Sequence, residues 1–239
     1  MNLFSRSSAA MLGVSLIIGL ASLGVLLAGA VHDFKQYERS VRVKGLSERE
    51  YKADIVIWPI QYTLASNQLG ALYDQLEANA AAVSRFLLEN GIAAQEITRA
   101  APVIIDKSAQ QYGGGGRAEF RYTASQSVTV YSTKVDAVRE LMGQVSQLGK
   151  QGIVLTGGDC QSQTEYLFTR LNEVKPVMIE EATTKAREVA LKFAADSQSV
   201  LGKIKRASQG QFSISDRDRN NPHIKRLRVV STVEYYLSD

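Results

Sequence analysis

Twenty-one consecutive residues without a charge, "MLGVSLIIGLASLGVLLAGAV" from Met11 to Val31, constrain this chain more than any other stretch. As a helix rising about 1.5 Å per residue they extend about 30 Å, the thickness of a bilayer's hydrocarbon core. Arg6 precedes the run, a placement that keeps the N-terminus in the cytoplasm. Ala28-Gly29-Ala30 has the small-x-small form of a signal-peptidase site, so a form cleaved of residues 1–30 is the alternative. The apolar core of a signal peptide usually has about 7–15 residues, and this run is longer, which favours an uncleaved span. The chain then divides into a cytoplasmic N-terminus (1–10), a transmembrane anchor (11–31), a short linker (32–40) and a body outside the cytoplasm (41–239).

The body is large enough for one sizeable domain or two small packed ones. Hydrophobic residues make up 45% of the chain and charged residues 22%, which argues for a packed core rather than disorder. A net charge of +4, with acids and bases mixed, lacks the concentrated basic face of a dedicated nucleic-acid binder, and no such partner is expected. The one cysteine, Cys160, excludes an intramolecular disulfide and any multi-cysteine metal site.

Beyond the apolar run, strand and helix periods alternate. Val41 and Val43 oppose Arg42 and Lys44, the period-2 pattern of a half-exposed strand. Ala53 to Leu64 reads as a second strand with Val56, Trp58, Ile60, Tyr62 and Leu64 on one face; Pro59, lacking an N–H, requires an edge or a bulge there. Leu69, Leu72, Leu76, Ala80, Val83 and Leu87 predict an amphipathic helix over 67–90, capped by Ser66 or Asn67 and closed by Gly91. "AAPVIID" gives a short strand, and Phe120 to Tyr131 a longer one whose alternation implies one wet face. A second helix on Val135, Val138, Leu141/Met142, Val145 and Leu148 ends at Gly149, and short strands follow at "GIVLT" and "EYLFTRL". A third helix starts near Pro176 and runs to about Leu201, burying Ile179, Ala182, Ala186, Val189, Phe193 and Val200. Two strands, "KIKRASQGQFSI" and "IKRLRVVSTVEYYL", finish the chain. The order β-β-α-β-β-α-β-β-α-β-β reads as α+β, a mostly antiparallel sheet with helices on one face.

No combination of side chains reads as a reactive centre. A nucleophilic thiol needs a base, and Cys160 has only His32, beside the apolar run, and His223, in a polar loop, to choose from. Gly113–Gly116 resembles a phosphate loop only in composition, since neither Lys-Ser/Thr nor a helix start follows it; a hairpin connection is the better reading. The pairs Glu48/Glu50, Glu180/Glu181 and Asp216/Asp218 lie among Lys and Arg, as solvated surface does, and no Asp-x-Asp-x-Asp-Gly loop indicates calcium. Lys203, Lys205, Arg206, Lys225, Arg226 and Arg228 make the C-terminal strand pair basic; Asp216, Asp218 and Glu234 interrupt the charge, so a solvated or subunit-facing edge is expected over an anion site. No catalytic, cofactor-binding or metal-binding residues are therefore expected.

The stretches "VRVKGLSEREYKADIVIWPIQYTL", "NGIAAQEITRAAPVI", "FRYTASQSVTVYS", "EYLFTRLNEVKPVMIEEATTKAREVALKFAADS" and "RVVSTVEYYL" resemble, in order, the SIMPL domain (DUF541) from Ser40 to Leu237. The opening signature is Val41-x-Val43-x-Gly45 with Ala53-Asp54 before the second strand; many members have Pro-Asp there, and Ala53 departs from them by loosening that turn. "VKGLSEREYKAD" and "LNEVKPVMIEEAT" are similar to the variant that often carries an N-terminal membrane anchor. The resemblance implies a bacterial envelope protein with its body in the periplasm and its anchor in the inner membrane. It further implies links to oxidative-stress tolerance, homo-oligomers in some relatives, and no defined catalytic residues. The expected function is a non-enzymatic, self-associating scaffold whose partners are its own copies and the bilayer through residues 11–31. The alternative is a module binding a ligand or client protein in a groove lined by Trp58, Tyr62, Phe120 and Tyr122, although core packing is the commoner use of strand aromatics.

Overall fold

The computed structural model describes residues 6–37, 39–109, 119–157 and 163–238. Helix α1 (Arg6–Tyr37) contains the apolar run and continues past it, so most of the expected linker is helical. The body is α+β and its sheet pairings are antiparallel, but it holds two sheets where one was expected. The chain divides into two compact units, Met1–Glu48, Lys175–Ser213 and Arg228–Asp239 forming the first, Arg49–Val174 and Ile214–Leu227 the second. Strands β1 (Ser40–Lys52) and β10 (Ile224–Ser238) contribute residues to both.

The second unit is organised by strands β2 (Ile55–Ser66) and β5 (Tyr122–Ser132), paired antiparallel from Val56↔Ser132 to Ser66↔Tyr122. The outer edge of β5 carries two short strands, β3 (Ile97–Arg99) and β4 (Val103–Asp106), separated at Pro102, which has no N–H to give a ladder. The other edge of β2 is likewise broken: β7 (Glu165–Leu167) pairs with Ile55–Ile57 and β6 (Val154–Thr156) with Gln61–Thr63. Pro59 stands in that gap, so the missing donor marks a broken edge as its chemistry requires.

One face of this pair is apolar. Val56, Trp58, Ile60 and Tyr62 of β2 and Ala124, Val128 and Val130 of β5 are buried against helix α2 (Leu69–Glu89), whose Leu72, Leu76, Ala80, Val83 and Leu87 follow the helical period. Leu69 is exposed, because the helix has only begun there. Gly91 has φ +86°, the left-handed conformation that favours glycine after a helix. The expected caps act one step removed. Asn67 Oδ1 accepts from Arg121 N at 2.9 Å, and Ser66 Oγ accepts from Gln68 N at 3.1 Å, while Gln68 holds the cap position. The second expected helix is two, α3 (Val135–Met142) and α4 (Ser146–Lys150), with Gly149 inside α4 and the left-handed φ (+86°) at Gly152. Strand β9 (Ser213–Asp216) pairs with β10.

In the first unit the strand order is β1-β10-β8, β8 being Val200–Gln209. Helix α5 (Leu171–Asp196) starts a turn earlier than Pro176, which falls in its second turn and forfeits one backbone hydrogen bond there. It also stops five residues before Leu201, at Gln198 with φ 54°, where Ser199 N returns to Ala194 O at 2.8 Å. Its buried stripe is Met178, Ala182, Ala186, Ala190 and Ala194. Of the residues expected inside, Ala182 and Ala186 are buried, Ile179 is half-buried, and Val189, Phe193 and Val200 are exposed. The physical cause lies on β1: a β-carbon at Gly45 would meet Ala186 N at 2.6 Å, so strand and helix backbones touch and only alanine fits between them. Val43, Val233 and Tyr235 complete this small core.

Candidate functional site

Asp54, a half-buried and multiply hydrogen-bonded carboxylate, lies in the turn between β1 and β2. It accepts from Thr169 N at 2.9 Å, Thr169 Oγ1 at 2.9 Å and Arg170 Nε at 3.3 Å, while its own N–H donates to Leu167 O. The Arg170 guanidinium lies 5.7 Å over the Phe168 ring, itself 5.4 Å from the Tyr51 ring. Burial works to raise the Asp54 pKa, but the Thr169 hydrogen bonds and the Arg170 charge outweigh it and hold the group below its ordinary 3.8. A carboxylate with its lone pairs so used fastens the end of β7 to the start of β2. By sequence Thr169 and Arg170 fall at the end of the strand expected at "EYLFTRL", and the one local signal of the clamp is a polar residue, Asp54, at a strand boundary.

The sequence candidates for nucleophile and phosphate loop, Cys160 and Gly113–Gly116, lie outside the described residues, as does the side chain of His32. His223 is buried, with its ring edge-on to Tyr166 at a centroid distance of 6.0 Å. Burial, followed by the charge of Arg139, lowers its pKa below 6.5 and keeps the imidazole neutral. Its backbone carbonyl accepts from Ala53 N at 2.8 Å, tying the polar loop to the end of β1.

In each of the carboxylate pairs at least one member meets a cation. Glu50 is 3.9 Å from Arg217, Glu181 is 2.6 Å from Lys185 and accepts from the buried Ser47 hydroxyl at 2.9 Å, and Asp216 bonds Lys225. Asp218 is engaged by Arg217 at 2.8 Å and by Asn221, contacts that lower its pKa to about 2. Among the described residues no group of three or more His, Cys, Asp or Glu side chains is placed to hold a metal ion.

The four aromatic candidates differ in burial. Trp58 and Tyr62 are core residues; Tyr62 Oη donates to Gln126 Oε1 at 2.6 Å, and burial pushes its pKa up to about 12. Tyr122 packs against that core and Phe120 is exposed ahead of β5.

Of the basic strand pair, Lys203, Lys205, Arg206 and Arg228 belong to the first unit, and Lys225 and Arg226 to the second. Glu234 accepts from Ser40 Oγ at 2.7 Å and lies 3.5 Å from Lys205. The Ser40 hydrogen bond first, and then the charges of Lys205 and Arg42, lower its pKa. The Lys205 ammonium also stands 5.5 Å over the Tyr236 ring, and Arg206 pairs in register with Glu234.

The family model SIMPL, described as a protein of unknown function (DUF541), matches residues 41–230. No curated relative matches the chain. The match opens at Val41, four residues before the glycine that seats α5, and closes in β10, so it takes in strands and helix of both units. On that extent, the chain belongs to the SIMPL family.

Proposed function

We propose that the protein is a non-enzymatic scaffold, held by α1 in the bacterial inner membrane with its body in the periplasm, and that it self-associates in support of envelope tolerance to oxidative stress. The observation that carries this reading is α1 itself. Gly13–Ala30 has a mean hydropathy of 2.1, none of it is covered by the rest of the chain, and β1 begins three residues after the helix ends. An apolar surface of that length finds its solvent in a bilayer.

One feature of α5 supports self-association. Val189 and Phe193, one turn apart on α5, are 37% and 53% exposed, an apolar pair that a second chain would cover. Several anchors held in one assembly raise membrane avidity without any new contact. The test is light scattering during size exclusion of the detergent-extracted full chain, with intact mass recorded on the same sample. The expected result is a multimer retaining residues 1–30, converted to smaller species by Val189→Glu with Phe193→Glu. A strict monomer at high concentration, or a mass lacking the N-terminal helix, would overturn it.

A further inference from the structure

The end of the first unit's sheet nearest α1 combines cations and apolar side chains in one place. Leu237 N donates to Arg39 O at 2.9 Å, so the last turns of β10 lie beside the first residues of β1. Arg39 also reaches Ser199 Oγ at 3.2 Å, and Val200 and Leu201 pair with Ser238 and Leu237, which brings the start of β8 to the same end. Arg42, Lys203, Lys205 and Arg206 are all exposed there, with Glu234 as the carboxylate among them. Beside them Val200 is 61% exposed, and Tyr236 lies under the Lys205 ammonium.

This mixture suits a membrane interface. Lysine and arginine meet lipid phosphate, tyrosine favours the headgroup level, and short apolar side chains enter the boundary with the acyl chains. Distance agrees with chemistry. From the end of the apolar run at Val31, six helical residues and two more reach Arg39, a span of no more than about 20 Å. A second copy fits the site less well, since two-fold pairing of β8 edges would set Lys203, Lys205 and Arg206 against the same charges. We propose that this end of the sheet docks on anionic lipid headgroups, with Arg42, Lys205 and Arg206 on phosphate and Val200 and Tyr236 at the acyl boundary.

The proposal rests on the reading of α1 as an anchor. The full chain is therefore reconstituted into nanodiscs, one copy per disc, of phosphatidylcholine alone or with about a third phosphatidylglycerol. Failure of the helix to insert would be seen at reconstitution, separately from docking. Backbone hydrogen exchange is then followed in peptides covering Val200–Gln209, with α2 peptides as the internal reference. Each cation at an anionic surface is worth about a fivefold change in partition. Exchange in β8 is accordingly expected to be at least about fivefold slower in the anionic discs. The difference should vanish with Arg42→Gln, Lys205→Gln and Arg206→Gln together and persist with Lys205→Arg. Equal exchange in the two lipids overturns the proposal. So does protection that appears only when two copies share a disc, which would assign the surface to a second chain.

Discussion

The main chain of Gly45 runs so close to α5 that a β-carbon on it would stand 1.8 Å from the carbonyl oxygen of Ala182. No flexible side-chain end lies in that contact; both partners are backbone, so relief requires helix and strand to separate. Gly45→Ala is expected to cost about 3 kcal/mol, at the upper end of the range for overpacking, and the urea midpoint of the full chain in detergent reads it. Ala186→Leu should be destabilising for the same reason. Leu46→Ala, on the exposed face of the same strand, should shift the midpoint by less than about 0.5 kcal/mol.

Asp54 gives a second test, because its hydrogen bonds are made to the charged form. Asp54→Ala is expected to lose about 2–3 kcal/mol, the usual value for hydrogen bonds to a charged group. The pH dependence has a definite sign. The carboxylate is held below its ordinary 3.8 in the folded protein, so its stabilisation is full above that value and declines as pH falls through the lowered folded pKa. Urea midpoints of the protein and of Asp54→Asn should therefore differ by a constant amount above about pH 5 and converge only in acid.

His223 titrates in a separate window. Its folded pKa lies below 6.5 because burial disfavours the imidazolium, so the unfolded chain takes up the proton first. Stability is complete above pH 6.5 and decreases as pH falls toward the lowered folded value. His223→Phe retains a ring against Tyr166 and should flatten the profile between about pH 6.5 and 5, as urea midpoints at those two values would show.

The central pair β2–β5 and helix α2 were readable because each faces one partner, and their apolar residues repeat at the strand or helix period. Helix α5 was readable as a helix but not for what it buries. Ala182, Ala186, Ala190 and Ala194 form a stripe as regular as the larger residues beside it, and only the bare backbone of Gly45 decides which stripe turns inward. Its C-terminus was misplaced because the left-handed stop is a glutamine, Gln198, where glycine is the expected signal. The Asp54 clamp was hidden for another reason. Thr169 and Arg170 are 115 and 116 residues away in sequence, and no periodicity reports a contact that only the fold creates.

The core under α2 supplies a test of the second unit. Leu72 is fully buried, and the strand side chains around it, Val56 to Tyr62, leave little freedom to collapse onto a void. Leu72→Ala is expected to cost about 2–5 kcal/mol, the transfer term of the lost methyl groups added to the cavity term. A thermal scan should show a lowered midpoint, and Leu69→Ala, at the exposed start of the same helix, should leave it nearly unchanged.

Helix α1 is tested by charge. Every side chain from Gly13 to Ala30 is uncovered, and the window carries no Asp, Glu, Lys or Arg. An arginine at the centre of such a helix costs about 2.5–3.5 kcal/mol on insertion, and two in adjacent turns cannot both reach the same interface. Leu20→Arg with Leu23→Arg should therefore move the protein from the carbonate-resistant membrane pellet to the supernatant. The single change Leu20→Arg should shift only part of it, because many leucines and isoleucines remain to offset one charge. Equal retention of the double variant and the parent chain in the pellet would mean that something other than α1 holds the body at the membrane.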